Sequence, residues 1–165
     1  MKVLISYKDL SGNHHTGMIC DSAVTRAKDP FFMPDDREWY GIHLYGVRIN
    51  RLGKGISKTF ADRYYDECLS AVHPYAVNPE DKGAERWARD GALIIGESSS
   101  SEEIIAAIKE QIDNCIVEFS KTMTLKTGDI ILIGDLDTSF LIASKSYDIM
   151  IPDYSGCPGF KLKIR

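Results

Sequence analysis

The sequence lacks any apolar run that approaches the roughly 20 residues needed to cross a membrane. The apolar stretch 3–5 that follows Met1 and Lys2 is also too short for the core of a signal peptide. Basic residues are not in excess, because the formal net charge is -4 and lysine and arginine form no cluster along the chain. These absences argue against a broad surface for nucleic acids or anionic membranes and predict a cytoplasmic protein.

Cysteine motifs are missing as well. The four cysteines, Cys20, Cys68, Cys115 and Cys157, are scattered, and none belongs to a C-x-x-C pair of the zinc or redox type. Such residues are typical of reduced thiols in or near the core rather than of a disulfide framework. At 165 residues the chain can bury roughly 70% of its unfolded surface, so we expect a single domain, residues 1–165, that folds without disulfides or a structural metal.

The clearest pattern in the chain is a helix followed by a turn and a strand. From residue 104 to residue 119, apolar side chains recur at steps of three and four and charged side chains fill the other face, which predicts an amphipathic helix. Ser99 or Ser100 can cap this helix, because each has a glutamate three residues later. Residues 127–129 then predict a turn, and the β-branched run 130–133 predicts a strand buried on both faces.

The remaining segments are mostly strands in this interpretation. A second helix is expected at 59–69, where aromatic residues have helical spacing, and polar loops are expected at 9–16, 78–83 and 98–101. The segment 18–27 fits either a strand or a short helix. The apolar segment 30–34 has a proline at each end, which predicts an extended edge or crossing segment. Strands are predicted at 2–7, 40–50, 70–73, 92–95, 140–143, 147–151 and 160–164.

The order of these elements decides between fold classes. Strands and helices do not alternate regularly along the chain, so a doubly wound parallel sheet is not expected. The pattern instead predicts an α+β fold, a β-rich roll with about two helices.

Several stretches of the chain resemble the fumarylacetoacetate hydrolase family. Residues 122–134, Thr-Met-Thr-Leu-Lys-Thr-Gly-Asp-Ile-Ile-Leu-Ile-Gly, are similar to the family's helix-turn-strand, which reads TL-x-x-GD followed by apolar residues. Residues 30–35 and 47–67 agree with the family in the same order, so the resemblance spans most of the chain from residue 30 to residue 148. It implies a mixed β-sandwich roll, usually homodimeric, in which a divalent ion helps to cleave or decarboxylate small acylpyruvate-type acids.

The resemblance also implies where a metal would bind, and there the sequence departs from the family. Active members hold the ion with two glutamates of a Y-E-x-E-L strand and with an aspartate that opens a D-x-[ST]-A-R-D segment. The matching strand here, residues 40–46, contains no glutamate in either plausible register. The implied ligand positions are Gly41, His43 and His73. Without the three carboxylates, nothing offsets the charge of a hard cation such as Mg²⁺ or Mn²⁺.

The catalytic lysine that the resemblance implies has no clear match either. In the family it lies in a K-x-F-D segment, and around residues 87–91 only Asp90 can be placed on that pattern, with Arg89 nearby. We therefore expect a domain that has lost the family's metal-dependent hydrolase chemistry, that needs no cofactor, and that acts as a non-catalytic binding or interaction protein. We also expect a homodimer and a small carboxylate as a ligand.

Two alternatives stay open. One is a protein that pairs with an active homologous subunit. The other is a hydrolase or decarboxylase of a small acylpyruvate or oxo-acid that uses Mg²⁺, Mn²⁺ or Zn²⁺ in a rearranged site. His43 and His73, with a carboxylate, would form the softer site that Zn²⁺ accepts, whereas adjacent loop histidines such as His14 and His15 are more often exposed than catalytic. The residues available to a rearranged site are His14 or His15, His43, His73, Arg89 and Asp90.

Overall fold

The computed structural model describes residues 1–34, 36–76, 85–104, 106–142 and 147–165. The strands in this part of the chain are β1 (Lys2–Lys8), β2 (His14–Cys20), β3 (Val24–Arg26), β4 (Trp39–Ile49), β5 (Tyr65–Ala76), β6 (Leu93–Ser100), β7 (Ile130–Asp135), β8 (Phe140–Ile142), β9 (Asp148–Ile151) and β10 (Phe160–Lys163). The α-helices are α1 (Glu85–Ala88) and α2 (Ala106–Thr122). Short 3₁₀ helices lie at Asp21–Ala23, Lys58–Tyr64, Ser101–Glu103 and Leu136–Thr138.

Eight of these strands form one mixed sheet. Their order is β2-β1-β7-β4-β5-β6-β3, and β8 pairs with the start of β4. The pairs β1–β7 and β3–β6 are parallel and the other pairs of this sheet are antiparallel. Strands β9 and β10 form a separate antiparallel pair. This architecture confirms the predicted α+β, β-rich fold with two helices.

The sheet has two buried faces, and we name them after the helices that contribute to their cores. Directly paired residues of neighbouring strands point to the same face. On the α2 face, Val47, Cys68 and Ile131 pack with the apolar side of α2. The same face continues into a cluster of residues from β4, β5, β9 and β10. On the α1 face, Leu44 and Leu132 pack with Trp87 of α1.

Asp129 joins the ends of three strands. Its carboxylate accepts hydrogen bonds from the backbone N–H of Lys2 (2.8 Å), the Nζ of Lys2 (2.6 Å) and the backbone N–H of Lys126 (2.9 Å). Its backbone carbonyl accepts a bond from the N–H of Ile49 at 2.7 Å. The turn needs Gly128, whose φ of +90° favours glycine, and which donates to the carbonyl of Ile49. The start of β1, the end of β4 and the start of β7 are therefore held by one buried aspartate.

The helix-turn-strand prediction is confirmed. Helix α2 buries Ile112 and Ile116 completely, and residues 130–133 are buried as the pattern predicts. The predicted cap is present in a modified form, because the Ser100 hydroxyl accepts a hydrogen bond from the N–H of Glu102 and caps a 3₁₀ turn instead of the α-helix. Strand β6 runs to Ser100, so the predicted loop at 98–101 is wrong.

The predicted helix at 59–69 is also wrong. Residues 58–64 form a 3₁₀ helix and β5 begins at Tyr65, because Tyr65 and Cys68 reach the core of the α2 face from an extended chain. Strand β5 also passes through Pro74, where a stop was expected. The described β5–β6 ladder ends at Val72, so the missing N–H of Pro74 interrupts no bond to β6.

The remaining segments divide between confirmed and corrected predictions. Segment 30–34 is extended, as predicted, and Phe31 bridges to Ile164. The expected loop 9–16 is shorter than predicted, because β2 already begins at His14. The expected loop 78–83 lies outside the described residues. All four cysteines are free thiols.

Within the described residues, no helix combines the length and the apolar character that a membrane crossing requires.

Asp129 gives the first test of this fold. We expect Asp129→Asn to lower the free energy of unfolding by about 2 kcal/mol, because the amide cannot accept both hydrogen bonds from Lys2 and loses the ionic contribution. Urea denaturation followed by circular dichroism measures the change. The matched control is Asp66→Asn on the exposed side of β5, which should stay within about 0.5 kcal/mol of the native protein. Equal stability of the two variants would contradict the role of Asp129.

The same residue predicts a pH dependence. Burial alone would raise the pKa of Asp129, but the hydrogen bonds from Lys2 and Lys126 outweigh it and hold the pKa below the ordinary value. Because the folded pKa is depressed, the stabilisation is fully present above about pH 4 and is lost as the pH falls through the folded value. Urea unfolding at a series of pH values should show the gap between the native protein and Asp129→Asn closing below about pH 4. A gap of constant size would contradict this assignment.

Candidate functional site

The register between β4 and β5 decides which of the implied ligand positions share a site. Ile42 lies directly opposite His73, and His43 lies directly opposite Val72. Since paired side chains share a face, His73 belongs to the α1 face and His43 to the α2 face. The structure does not bring the two histidines together.

His73 is buried on the α1 face and held on two sides. Its side chain is 1% exposed, and its Nδ1–H donates to the carbonyl of Ala92 at 2.6 Å, a bond that fixes the tautomer because a carbonyl only accepts. The imidazole lies flat on the Trp87 indole, with centroids 4.6 Å apart and planes inclined by 7°. His73 is thus packed as part of an aromatic stack.

The stack continues in both directions and forms what we call the ring row. Neighbouring centroids along it are 5.3 Å apart for His15–Tyr7, 5.9 Å for Tyr7–Trp87, 6.3 Å for His73–Tyr75 and 5.9 Å for Tyr75–Tyr40. Five elements contribute to it, namely β1, β2, β4, β5 and α1. In order, the ring row consists of His15, Tyr7, Trp87, His73, Tyr75 and Tyr40.

His15 ends the ring row beside a carboxylate. Its Nε2 lies 2.7 Å from Oδ2 of Asp9, and this hydrogen bond, helped by the N–H of Asn13, lowers the pKa of Asp9 to about 2. Asp9 also accepts from the N–H of Ser11, so its carboxylate organises the turn between β1 and β2. Neighbouring His14 is exposed.

His43 has different surroundings on the α2 face. It is 8% exposed, and its Nε2 is buried without a hydrogen-bond partner among the described residues. Burial lowers the pKa of this imidazole. The rings of Tyr45 and Tyr154 stand edge-on to it at 6.2 and 5.8 Å.

Gly41 leaves no space for a larger side chain. A Cβ atom at this position would lie 2.6 Å from Cζ of Phe140 and 2.9 Å from Cγ1 of Val72. Both distances are far below van der Waals contact. The ring of Phe140 therefore fills the position that the resemblance gives to the first glutamate.

Arg89 and Asp90 have other surroundings. The Arg89 guanidinium lies over Trp39 at 4.4 Å from the ring centroid and over Phe31 at 5.8 Å, and it donates to the carbonyl of Pro74. This is the cation–π contact of a packed arginine. The Asp90 side chain is exposed.

The residues at the implied metal positions do not fit Mg²⁺ or Mn²⁺. These ions take oxygen ligands, and Gly41, His43 and His73 supply none. In the ranges that the structure covers, no three His, Cys, Asp or Glu side chains come close enough to hold a metal ion. The sequence interpretation named the histidines but missed Tyr7 and Trp87. The signal for Trp87 was its place in the segment 87–91, to which the resemblance assigns the family's lysine.

No model of a protein family matches the sequence, and no curated protein is significantly similar to it.

Solved structures, in contrast, match over almost the whole chain. A fumarylacetoacetate hydrolase family protein from Yersinia pestis has a TM-score of 0.80 and 17% sequence identity, covering 99% of this chain and 92% of that chain. A fumarylpyruvate hydrolase from Pseudomonas aeruginosa in complex with Mn²⁺ and pyruvate has a TM-score of 0.75 and 10% identity, covering 99% and 89%. A maleylpyruvate hydrolase from Sphingobium sp. SYK-6 in complex with manganese(II) and pyruvate has a TM-score of 0.82 and 14% identity, covering 99% and 69%. The chain therefore has the fold of the fumarylacetoacetate hydrolase family.

Proposed function

We propose that this chain is a non-catalytic binding protein that keeps the fold of the fumarylacetoacetate hydrolase family and has lost the metal-dependent chemistry. The observation that carries the proposal is the register of β4 and β5. It determines which side chains face one another, and on these two strands, as far as they are described, no carboxylate lies directly opposite His43 or His73, whereas a hard divalent ion requires such ligands.

Both possible placements of the family's ligands lead to the same result. If the site lies on the α1 face around His73, its partners on β4 are Tyr40 and Ile42. If it lies on the α2 face around His43, its neighbours are Gly41 and Val72. Neither set contains an acid, so neither supplies the carboxylate ligands by which the family holds its ion.

A zinc site of histidines is not supported either. It would need His43 and His73 in one coordination sphere, and they point to opposite faces of the sheet. The Nδ1–H of His73 already donates to the carbonyl of Ala92, and the indole of Trp87 stacks on a face of the imidazole.

A rearranged hydrolase is the second candidate, and the pairing of His15 with Asp9 is the observation in its favour. A histidine oriented by a carboxylate is the arrangement of a general base. The Asp9 carboxylate, however, is shared with two backbone N–H groups of its own turn. Arg89 and Asp90, the other candidates for this site, do not contact the pair in the described residues. The geometry therefore favours the non-catalytic role.

Four further expectations belong to the same proposal. They are a homodimer, a small carboxylate as ligand, a cytoplasmic location and, as an alternative, pairing with an active homologous subunit. Light scattering of the purified chain measures the oligomeric state, and calorimetric titration with pyruvate measures carboxylate binding. Cell fractionation shows the location, and co-purification detects a homologous subunit.

Metal binding gives the direct test of the proposed function. A Mn²⁺ site with a Kd of about 1 μM would stabilise the protein by about 4 kcal/mol at 1 mM Mn²⁺. Such a site would raise Tm by roughly 8–16 °C. We expect Mg²⁺, Mn²⁺ and Zn²⁺ to raise Tm by less than about 1 °C, and elemental analysis of the purified protein to find no stoichiometric ion. One tightly held divalent ion per chain would overturn the proposal.

The space at Gly41 gives a second prediction. We expect Gly41→Ala to lower the free energy of unfolding by about 1–3 kcal/mol, because its methyl group overlaps Phe140. Phe140→Ala removes the main overlap, so a double-mutant cycle in urea should give a combined loss smaller than the sum of the single losses. Gly41→Ala with native stability, or strictly additive losses, would show that Phe140 does not occupy this position in solution.

A further inference from the structure

A cleft on the α2 face is lined by His43 and Phe140, at the positions that the resemblance gives to the family's two glutamates. Its volume is about 510 Å³, within the range of pockets for small molecules. We call it the His43 cleft. The side chains used below to describe it are His43, Phe140, Tyr147, Ile149, Met150 and Tyr154.

The lining of the His43 cleft is apolar and aromatic. None of the described residues around it carries a charged side chain. Met150 is 67% exposed and Tyr154 is 38% exposed, so large apolar side chains form its rim. A charged molecule would lose its hydration here without gaining an ionic partner, which is costly. The cleft therefore suits a neutral ligand.

The polar feature of the His43 cleft is the unpaired nitrogen of His43. Buried polar atoms without hydrogen bonds are rare in folded proteins, and each one calls for an explanation. Nε2 of His43 is covered, and the Tyr154 ring stands edge-on against the imidazole at 5.8 Å. Tyr154 is partly exposed at the rim and packs on Tyr45 at 4.5 Å between ring centroids, and we expect a rotation of its side chain to open Nε2 to the cleft.

The hydrogen-bonding chemistry of His43 narrows the class of ligand further. In a neutral imidazole, Nε2 either donates or accepts, depending on the tautomer. A hydroxyl group can do both, so it satisfies this atom in either state. A ketone or an ether can only accept.

We propose that the His43 cleft binds a small neutral molecule that combines a ring with a hydroxyl group, of which a phenol is the simplest case. The ring would lie against Phe140 and Tyr154, and the hydroxyl would bond to Nε2 of His43. This inference rests on the proposed non-catalytic role and gives it a ligand class. It replaces the carboxylate expected above, because none of the described residues that line the cleft is a lysine or an arginine.

The test compares three molecules that differ in one group. They are p-cresol, p-xylene, in which a methyl group replaces the hydroxyl, and p-toluate, in which a carboxylate replaces it. The full chain is treated with EDTA and labelled with ¹³C at the methionine methyl groups. Met150 reports on the cleft, and Met18 on β2, which does not line it, is the internal control.

We expect p-cresol to shift the Met150 signal and leave the Met18 signal unchanged. p-Xylene should bind about tenfold more weakly, since it leaves Nε2 unpaired, and p-toluate should not bind. His43→Phe should bind p-cresol and p-xylene equally, because the hydrogen-bonding atom is gone. His43→Gln, whose amide both donates and accepts, should keep part of the preference, and the exposed control His14→Gln should keep all of it.

Three results would overturn the inference. The first is equal affinity of the native protein for p-cresol and p-xylene, and the second is tighter binding of p-toluate than of p-cresol. The third is a Met150 signal that changes with protein concentration in the absence of ligand, together with a dimer in light scattering, which would show that a second copy covers the cleft. Because the sample is treated with EDTA, these results do not depend on metal binding, so a failure of this inference and a failure of the proposed function can be recognised separately.

Discussion

The pairing of β4 with β5 is the constraint on which the rest of the molecule depends. The two strands lie in the middle of the sheet, and their register runs from Trp39 opposite Ala76 to the bulge after Arg48. Side chains alternate between the faces along each strand, so a shift by one residue would exchange the two cores. With the register fixed, His43 must face the α2 side and His73 the α1 side. The separation of these histidines is therefore a property of the whole sheet, because no rotamer change can bring them together.

The parts of the fold that could be predicted are those with a local cause. The amphipathic spacing in α2 and the β-branched run of β7 each specify one structure. Within strand β5 the predicted strand at 70–73 is present, but residues 65–69 could not be predicted, because their apolar spacing fits a helix as well as a strand. Only the pairing with β4 and β6 decides between them. The glycines that interrupt the pattern of β4 have a long-range cause: a Cβ atom on Gly46 would lie 1.9 Å from the carbonyl oxygen of Ile131.

The residues of the candidate sites also divide into those that the sequence reveals and those that only the fold brings together. The histidines and the missing glutamates are visible in the sequence, because a resemblance can be carried over position by position. The ring row is not visible there, since its six rings come from five elements and have no common spacing. The same holds for Phe140, which lies about one hundred residues from Gly41 in the sequence and is brought against it by the pairing of β8 with β4. Such contacts follow from the fold, and only a structure reveals them.

The exchange of carboxylates for rings that we propose has a physical reason of its own. Buried carboxylates are tolerated at a metal site because the cation offsets their charge and their mutual repulsion. When the ion is no longer bound, each acid that remains is a desolvated charge without a partner, and the folded state loses stability. Packed aromatic rings in place of the acids do not need a bound ion for stability, since the burial of the rings is favourable without one. If the ion is lost as we propose, the contact of His73 with Trp87 on one face and that of Phe140 with Gly41 on the other provide packing that does not depend on a metal.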